Sequence, residues 1–180
     1  MAYPISKFWF YPLFTILIRV KGMENIPENT NFIIVSNHEH LIDPLCILYP
    51  ILKKLNKKVH FLTTGRWWFL GDMICRQWAG TIPLFNRKQA YEESKNQIKS
   101  GEIIGVFPEG GIKRTKQPKT GAVRLALETN TPILPIALKF HYTSLSSKVT
   151  IGKPVYPNKI KNIEKQTLDL MNHIYSLRGN

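Results

Sequence analysis

Short apolar runs alternate with helix-like segments along most of the chain, and this alternation constrains the fold more than any other feature. The runs are rich in β-branched residues, which predicts buried strands at 32–35, 59–63, 81–85, 103–107, 133–140 and 148–151. The segments between and after them predict helices at 44–55, 66–79, 89–99, 121–129 and 158–177. Strands separated by helices are typical of α/β domains. We therefore predict one α/β domain whose central, mainly parallel mixed sheet is flanked by helices.

The length and charge of the chain limit its class. A length of 180 residues suits one domain, and Cys46 and Cys75 lie in apolar surroundings typical of buried free thiols in a reducing compartment. The net charge of +13 favours anionic partners, such as nucleic acid, an anionic membrane surface or a phosphorylated substrate. The aromatic residues concentrate in two apolar segments instead of alternating with the basic clusters. Nucleic acid is therefore not expected as a partner, and a basic nucleic-acid-binding domain is a remote alternative.

The N-terminal segment has an apolar run at 8–18 that contains no charged residue. It is too short to span a bilayer, which needs about 20 apolar residues. Its aromatic residues, with basic residues on either side, suit a helix lying at the headgroup boundary. The alternative is a helix packed on the protein's own core. We expect residues 1–20 to form an interfacial, membrane-associated helix, residues 21–180 to form the main domain, and the protein to lie on the cytoplasmic face of a membrane as a peripheral or monotopic protein.

The loop after the first predicted strand carries a histidine, His38, and five positions later an aspartate, Asp43. Histidine can accept a proton from an alcohol at neutral pH, and a carboxylate bonded to its other ring nitrogen would fix its tautomer. Three other interpretations stay open: Asp43 as a helix cap before Pro44, His38 as an ordinary loop histidine, and a weak metal site that includes His40. A serine-hydrolase triad is not favoured, since no serine lies in a glycine-flanked turn.

The order of four motifs resembles that of the glycerolipid acyltransferases typified by 1-acylglycerol-3-phosphate acyltransferases. The first, asparagine-histidine followed by four residues and aspartate, is matched by Asn37-His38 and Asp43. The other three are matched by Gly80 to Arg87, Phe107-Pro108-Glu109-Gly110, and Thr131 to Pro135. The resemblance covers roughly residues 21–154 and implies a glycerol-3-phosphate acyltransferase-like fold.

The resemblance implies that His38 is the catalytic base and Asp43 its partner. It also implies that Arg87, Glu109 and Gly110 help to hold the glycerol phosphate of the acceptor. Arginine suits phosphate because its guanidinium donates in a planar fork.

Consecutive backbone N–H groups at Gly110 and Gly111 could also hold an oxyanion or a phosphate. Alternatively, Glu109 is an ordinary turn residue, and Arg87 is a surface residue at the end of a strand. The sequence departs from the family after Gly110, where a small hydroxyl residue and an arginine are usual. Here Arg114 is displaced, or its role passes to Lys113 or Lys119.

The implied reaction transfers a fatty acyl group from acyl-CoA or acyl carrier protein to 1-acylglycerol 3-phosphate, forming phosphatidic acid. The thioester is already activated, so neither a covalent enzyme intermediate nor a metal or prosthetic cofactor is expected. Glycerol 3-phosphate or another lysophospholipid is the alternative acceptor, and a non-catalytic lipid-binding relative is a further alternative. The apolar helix at 66–79, with Trp67 and Trp68, is either core or part of an acyl-chain groove.

Overall fold

The computed structural model describes residues 7–63, 73–112, 117–141 and 146–179. The α-helices in these ranges are α1 (Lys7–Leu17), α2 (Asp43–Leu55), α3 (Arg87–Lys99), α4 (Gly121–Thr129) and α5 (Ile163–Leu177). The strands are β1 (Ile18–Lys21), β2 (Ile33–Ser36), β3 (Val59–Thr63), β4 (Ile82–Pro83), β5 (Ile103–Val106), β6 (Ile133–His141) and β7 (Ser146–Ile151). A 3-10 helix (Met23–Asn25) and a π-helix (Met73–Trp78) complete the described elements.

The strands form one mixed sheet in the order β1-β7-β6-β2-β5-β3-β4. Among the pairs of named strands in the described residues, only β6–β7 is antiparallel, so β1 and β7 run opposite to the other strands. This arrangement confirms the predicted α/β fold with a mainly parallel mixed sheet.

The centre of the sheet is buried on both faces because side chains alternate along a strand. In β2, Ile34 belongs to a core cluster with α1 and α2, whereas Ile33 and Val35 belong to a cluster with α3, α4 and α5. All three side chains are fully buried. This two-sided burial explains why the central strands are almost continuously apolar and why their positions could be predicted closely.

The N-terminal segment contributes to the sheet as well as forming a helix. Strand β1 pairs with β7 from Ile18 to Lys21, and the boundary predicted between residues 20 and 21 falls inside it. Phe14 and Ile18 are buried in the core, while Leu13 and Ile16 of α1 are exposed. Among the described residues, no helix combines the length and hydrophobicity that crossing a bilayer requires.

Two predicted helices differ from those observed by more than two residues. The segment 66–79 is described only from residue 73, where it forms the π-helix, so Trp67 and Trp68 lie outside the described residues. The C-terminal helix begins at Ile163, five residues later than predicted, because the Asn162 side chain accepts a hydrogen bond from the Lys165 N–H and caps it there.

Candidate active site

The loops that follow β2 and β5 are brought together by the pairing of these two parallel strands. Val35 lies opposite Val106, so both strands end at the same edge of the sheet. Open α/β sheets bind ligands outside the carboxyl ends of their strands. The loop after β2 carries His38, and the loop after β5 carries Glu109.

Asn37 anchors the first of these loops to β6. Its side-chain amide donates to the carbonyl of Leu138 at 2.9 Å and accepts from the Leu138 N–H at 2.8 Å. The side chain is therefore bonded like one further residue of β2, and it is only 1% exposed. This role was not predicted from the sequence, although Asn37 belongs to the first motif. A polar amide directly after an apolar strand is the signal that could have pointed to it.

Asp43 orients the His38 ring. Its Oδ2 lies 2.9 Å from His38 Nδ1 and also accepts from the backbone N–H groups of Glu39 at 2.6 Å and His40 at 2.8 Å. The carboxylate is buried, so these donors replace water as its hydrogen-bond partners.

The interpretation of Asp43 as the N-cap of α2 is wrong. Ile42 occupies the N-cap, and Asp43 is the first residue of the helix. Its carboxylate instead folds back on the preceding loop, where three donors converge on one oxygen. The negative charge also lies at a helix N-terminus, where the helix dipole favours it.

Glu109 connects the two loops. Its Oε2 accepts a hydrogen bond from the His38 backbone N–H at 2.7 Å, and its Oε1 accepts one from the Tyr175 hydroxyl of α5. Glu109 is therefore more than a turn residue, because it fixes the main chain at the histidine. Neither Tyr175 nor this bond was predicted, since both partners are far from Glu109 in the sequence.

The His38 ring is supported from one side by a stack of aromatic rings. Its centroid lies 4.3 Å from that of Phe107, and Phe107 lies 5.7 Å from Phe61. Phe61 in turn packs over Gly105 so closely that a Cβ at this position would collide with the ring. The glycine thus makes room for the ring stack behind the histidine.

A cleft of about 360 Å³ opens beside His38. It is bounded by the two loops, the end of β6 and the last turn of α5. Its lining residues are His38, Glu39, Glu109, Ile112, Lys139, Phe140, Tyr175 and Arg178.

The geometry can perform general-base chemistry. Because Nδ1 of His38 is bonded to the Asp43 carboxylate, Nε2 is the ring nitrogen that can take a proton from a substrate. Asp43 would then stabilise the imidazolium. Among the described residues, no group of three or more histidine, cysteine, aspartate and glutamate side chains could hold a metal ion.

The remaining predicted site residues are not all brought to the cleft. Gly110 has φ +72° and donates its N–H to the Phe107 carbonyl, so one of the two predicted N–H donors is engaged within the turn. The Lys119 side chain lies against Gly110, and Gly111 is exposed.

Arg87 is exposed in the first turn of α3, beyond the carboxyl end of β4 and three strands away from β2 in the sheet. Lys113 and Arg114 lie outside the described residues.

The cysteines are buried and unbridged, as predicted. Cys46 lies on α2 close to the Asp43 carboxylate. Burial raises the pKa of its thiol to about 11, a hydrogen bond from Ser147 opposes the rise, and the charge of Asp43 adds to it. The thiol is therefore protonated, and a reactive role is not indicated.

Residues 17–139 match the model of a protein family described as acyltransferase. The chain is 35% identical over 138 residues to a 1-acyl-sn-glycerol-3-phosphate acyltransferase of Borreliella burgdorferi, covering 68% of this chain and 51% of that protein. It is 24% identical over 156 residues to a protein of the same name from Bacillus subtilis, covering 77% and 74%. The chain thus spans about half the length of the Borreliella relative.

The fold also matches the crystal structure of the 1-acyl-sn-glycerophosphate acyltransferase PlsC from Thermotoga maritima. The TM-score is 0.65 at 20% identity, and the match covers 94% of this chain and 76% of that chain.

Proposed function

Since the chain belongs to the acyltransferase family, we propose that it transfers a fatty acyl group from a thioester of coenzyme A or acyl carrier protein to 1-acylglycerol 3-phosphate. The product is phosphatidic acid. The observation that carries this proposal is the 2.9 Å contact between His38 Nδ1 and Asp43 Oδ2 at the edge of a cleft. The names of the Borreliella and Bacillus relatives support the choice of acceptor.

The proposed reaction is a direct transfer. His38 Nε2 takes the proton of the acceptor hydroxyl while the oxygen attacks the thioester carbonyl, and a tetrahedral intermediate forms. The carbon–sulfur bond then breaks, and the leaving thiolate receives the proton from the imidazolium. A positioned base of this kind contributes about 10²–10⁴-fold to the rate. Because the thioester is already activated, the proposal includes no metal or prosthetic group.

Membrane association forms part of the proposal. Large apolar side chains are exposed near the edge of the sheet that carries His38, among them Leu13, Ile16, Leu41, Ile42 and Leu45. Leu13 and Ile16 of α1 lie at this edge because β1 is antiparallel to β2. The carboxyl end of α1, which leads into β1, therefore lies at the same edge of the sheet as the carboxyl end of β2. Exposed leucine and isoleucine beside a net charge of +13 suit an anionic bilayer surface.

The proposed location is the cytoplasmic face of a membrane. Cosedimentation with vesicles tests the binding of the protein to a membrane surface. Replacing both Ile16 and Leu41 by serine should weaken binding to vesicles that contain anionic lipid, whereas the same substitution at exposed Ile160, in the turn before α5, should leave binding unchanged. Equal binding of all three proteins would contradict the proposed surface.

The acceptor is tested by an activity panel with a radiolabelled thioester. The rate of acyl transfer to lysophosphatidate should exceed the rates with glycerol 3-phosphate, other lysophospholipids and phosphate-free 1-acylglycerol. The panel matters because Ile112 lines the cleft close to where the family usually has arginine. Turnover with another acceptor but not with lysophosphatidate would overturn the proposed acceptor while leaving the acyltransferase class intact. The same panel, run on alanine variants of Arg87, Lys113, Arg114 and Lys119, tests whether these residues contribute to phosphate binding.

A further inference from the structure

Two cationic side chains, Lys139 and Arg178, line the α5 side of the cleft, and the Lys148 side chain lies beside them. Lys139 and Lys148 are directly opposite each other on the antiparallel strands β6 and β7, so their side chains share one face. Arg178 follows the last turn of α5 and lines the cleft together with Lys139. None of these positions was singled out from the sequence, and Lys148 and Arg178 lie beyond the 17–139 match to the family model.

The carbonyls at the carboxyl end of α5 offset the charges of the two lysines in part, and a bound anion would offset them further. Like charges directly opposite each other on paired strands destabilise a sheet. Lys139 Nζ donates to the Gly179 carbonyl at 3.4 Å and Lys148 Nζ to the Arg178 carbonyl at 3.3 Å, which are long hydrogen bonds. Both ammonium groups therefore retain donors for a stronger acceptor.

The carboxylates of the cleft are already engaged. Glu39 Oε1 forms a 2.7 Å ion pair with Arg178, and both oxygens of Glu109 accept hydrogen bonds, from the His38 N–H and the Tyr175 hydroxyl. Arg178 can bridge Glu39 and a second anion because a guanidinium has five N–H donors. The positive charge of Lys139 is the one in the cleft that no described carboxylate offsets by an ion pair.

We propose that Lys139 and Arg178 bind the phosphate group of the acceptor, with Lys148 adding positive charge behind them. The inference rests on the proposed function and deepens it, since it assigns the phosphate to the β6–α5 side of His38. The chemical class of the ligand is a phosphate monoester. In the cleft its phosphate would lie against β6 and α5 while its free hydroxyl lies at His38.

The kinetic test compares wild type with Lys139→Met. The variant should raise KM for lysophosphatidate in mixed micelles by about tenfold or more, the effect of losing one charge-assisted hydrogen bond, while kcat changes little. Lys139→Arg should largely restore KM because it keeps the charge. Lys99→Met is the matched control, since Lys99 is exposed at the end of α3, on the opposite edge of the sheet. A KM for Lys139→Met within about twofold of wild type overturns the inference, and a KM rise in Arg87→Ala alone would place the phosphate elsewhere.

A binding test separates this inference from the proposed function. sn-Glycerol 3-phosphate should raise the Tm of the wild type and not that of Lys139→Met, and glycerol should raise neither. Inorganic phosphate in a parallel arm shows whether the glycerol moiety contributes to binding. The inference survives a wild type that is inactive on lysophosphatidate if this difference in Tm is present. An equal shift in both proteins, or no shift in the wild type, overturns it.

Discussion

The backbone N–H of His38 donates a 2.7 Å hydrogen bond to Oε2 of Glu109, so a carboxylate from one loop fixes the main chain of the other. The second oxygen of Glu109 is held by the Tyr175 hydroxyl. Through this chain of contacts the C-terminal helix supports the loop that carries the histidine. The position of His38 therefore depends on residues from three separate parts of the chain.

Replacing Glu109 by alanine should lower kcat by about 10²-fold, because the loop that holds His38 loses its anchor and small displacements of a catalytic group are costly. Glu109→Gln should be milder, since an amide oxygen can still accept from the His38 N–H. Initial rates with lysophosphatidate measure both effects. Glu92→Gln, on the exposed surface of α3, serves as the control. Wild-type kcat in Glu109→Ala would show that the bond does not position the histidine.

Asn37→Ala should destabilise the protein by about 2–4 kcal/mol, because the buried N–H and C=O of Leu138 both lose their partner. The free energy of unfolding from urea titrations gives the value. Asn96→Ala, at an exposed position of α3, should change stability by no more than about 0.5 kcal/mol. A loss of equal size in the two variants would argue against the bridge between Asn37 and β6.

Gly105→Ala should destabilise the protein by about 1–3 kcal/mol, because the added methyl group collides with the Phe61 ring. It should also lower kcat, since Phe61 supports Phe107 and Phe107 supports the His38 ring. Combining it with Phe61→Leu makes room for the methyl group. The double variant should therefore be more stable than the sum of the single effects predicts, and simple additivity would contradict the proposed collision.

Cys46 should make the protein less stable at alkaline pH. The pKa of its thiol is about 11 in the folded state, chiefly because of burial, against 9.0 for an unperturbed thiol. The unfolded chain therefore releases the proton first, and stability falls between pH 9 and pH 11 by about 1.4 kcal/mol per pH unit. Cys46→Ala should show a shallower decline in urea titrations across this range. Burial also raises the pKa of Tyr91, but that contribution is common to both proteins and cancels in the comparison.

The fold was predictable where the local sequence pattern indicates which residues are buried. Strand β3 and helix α4 have the predicted bounds because each is a distinct segment between turn residues. Strand β1 was not predicted, because its four residues directly follow an apolar helix. They form a strand by pairing with β7, which is far away in the sequence.

The candidate site was predictable only in part. His38 and Asp43 stand five residues apart, and their contact follows from a local loop. The roles of Asn37 and Glu109 depend on partners 101 and 66 to 71 residues away, which no local pattern identifies. The same holds for Lys139 and Arg178, which line one cleft with His38 only when β6 and α5 pack beside β2.

The most direct test of the account is acyl transfer from a labelled thioester to lysophosphatidate by wild type and His38→Ala. His38→Ala should lose at least about 10²-fold in kcat while its Tm stays close to that of the wild type. His173→Ala, at an exposed position of α5, should retain wild-type activity. Equal activity of wild type and His38→Ala would contradict the assignment of His38 as the base.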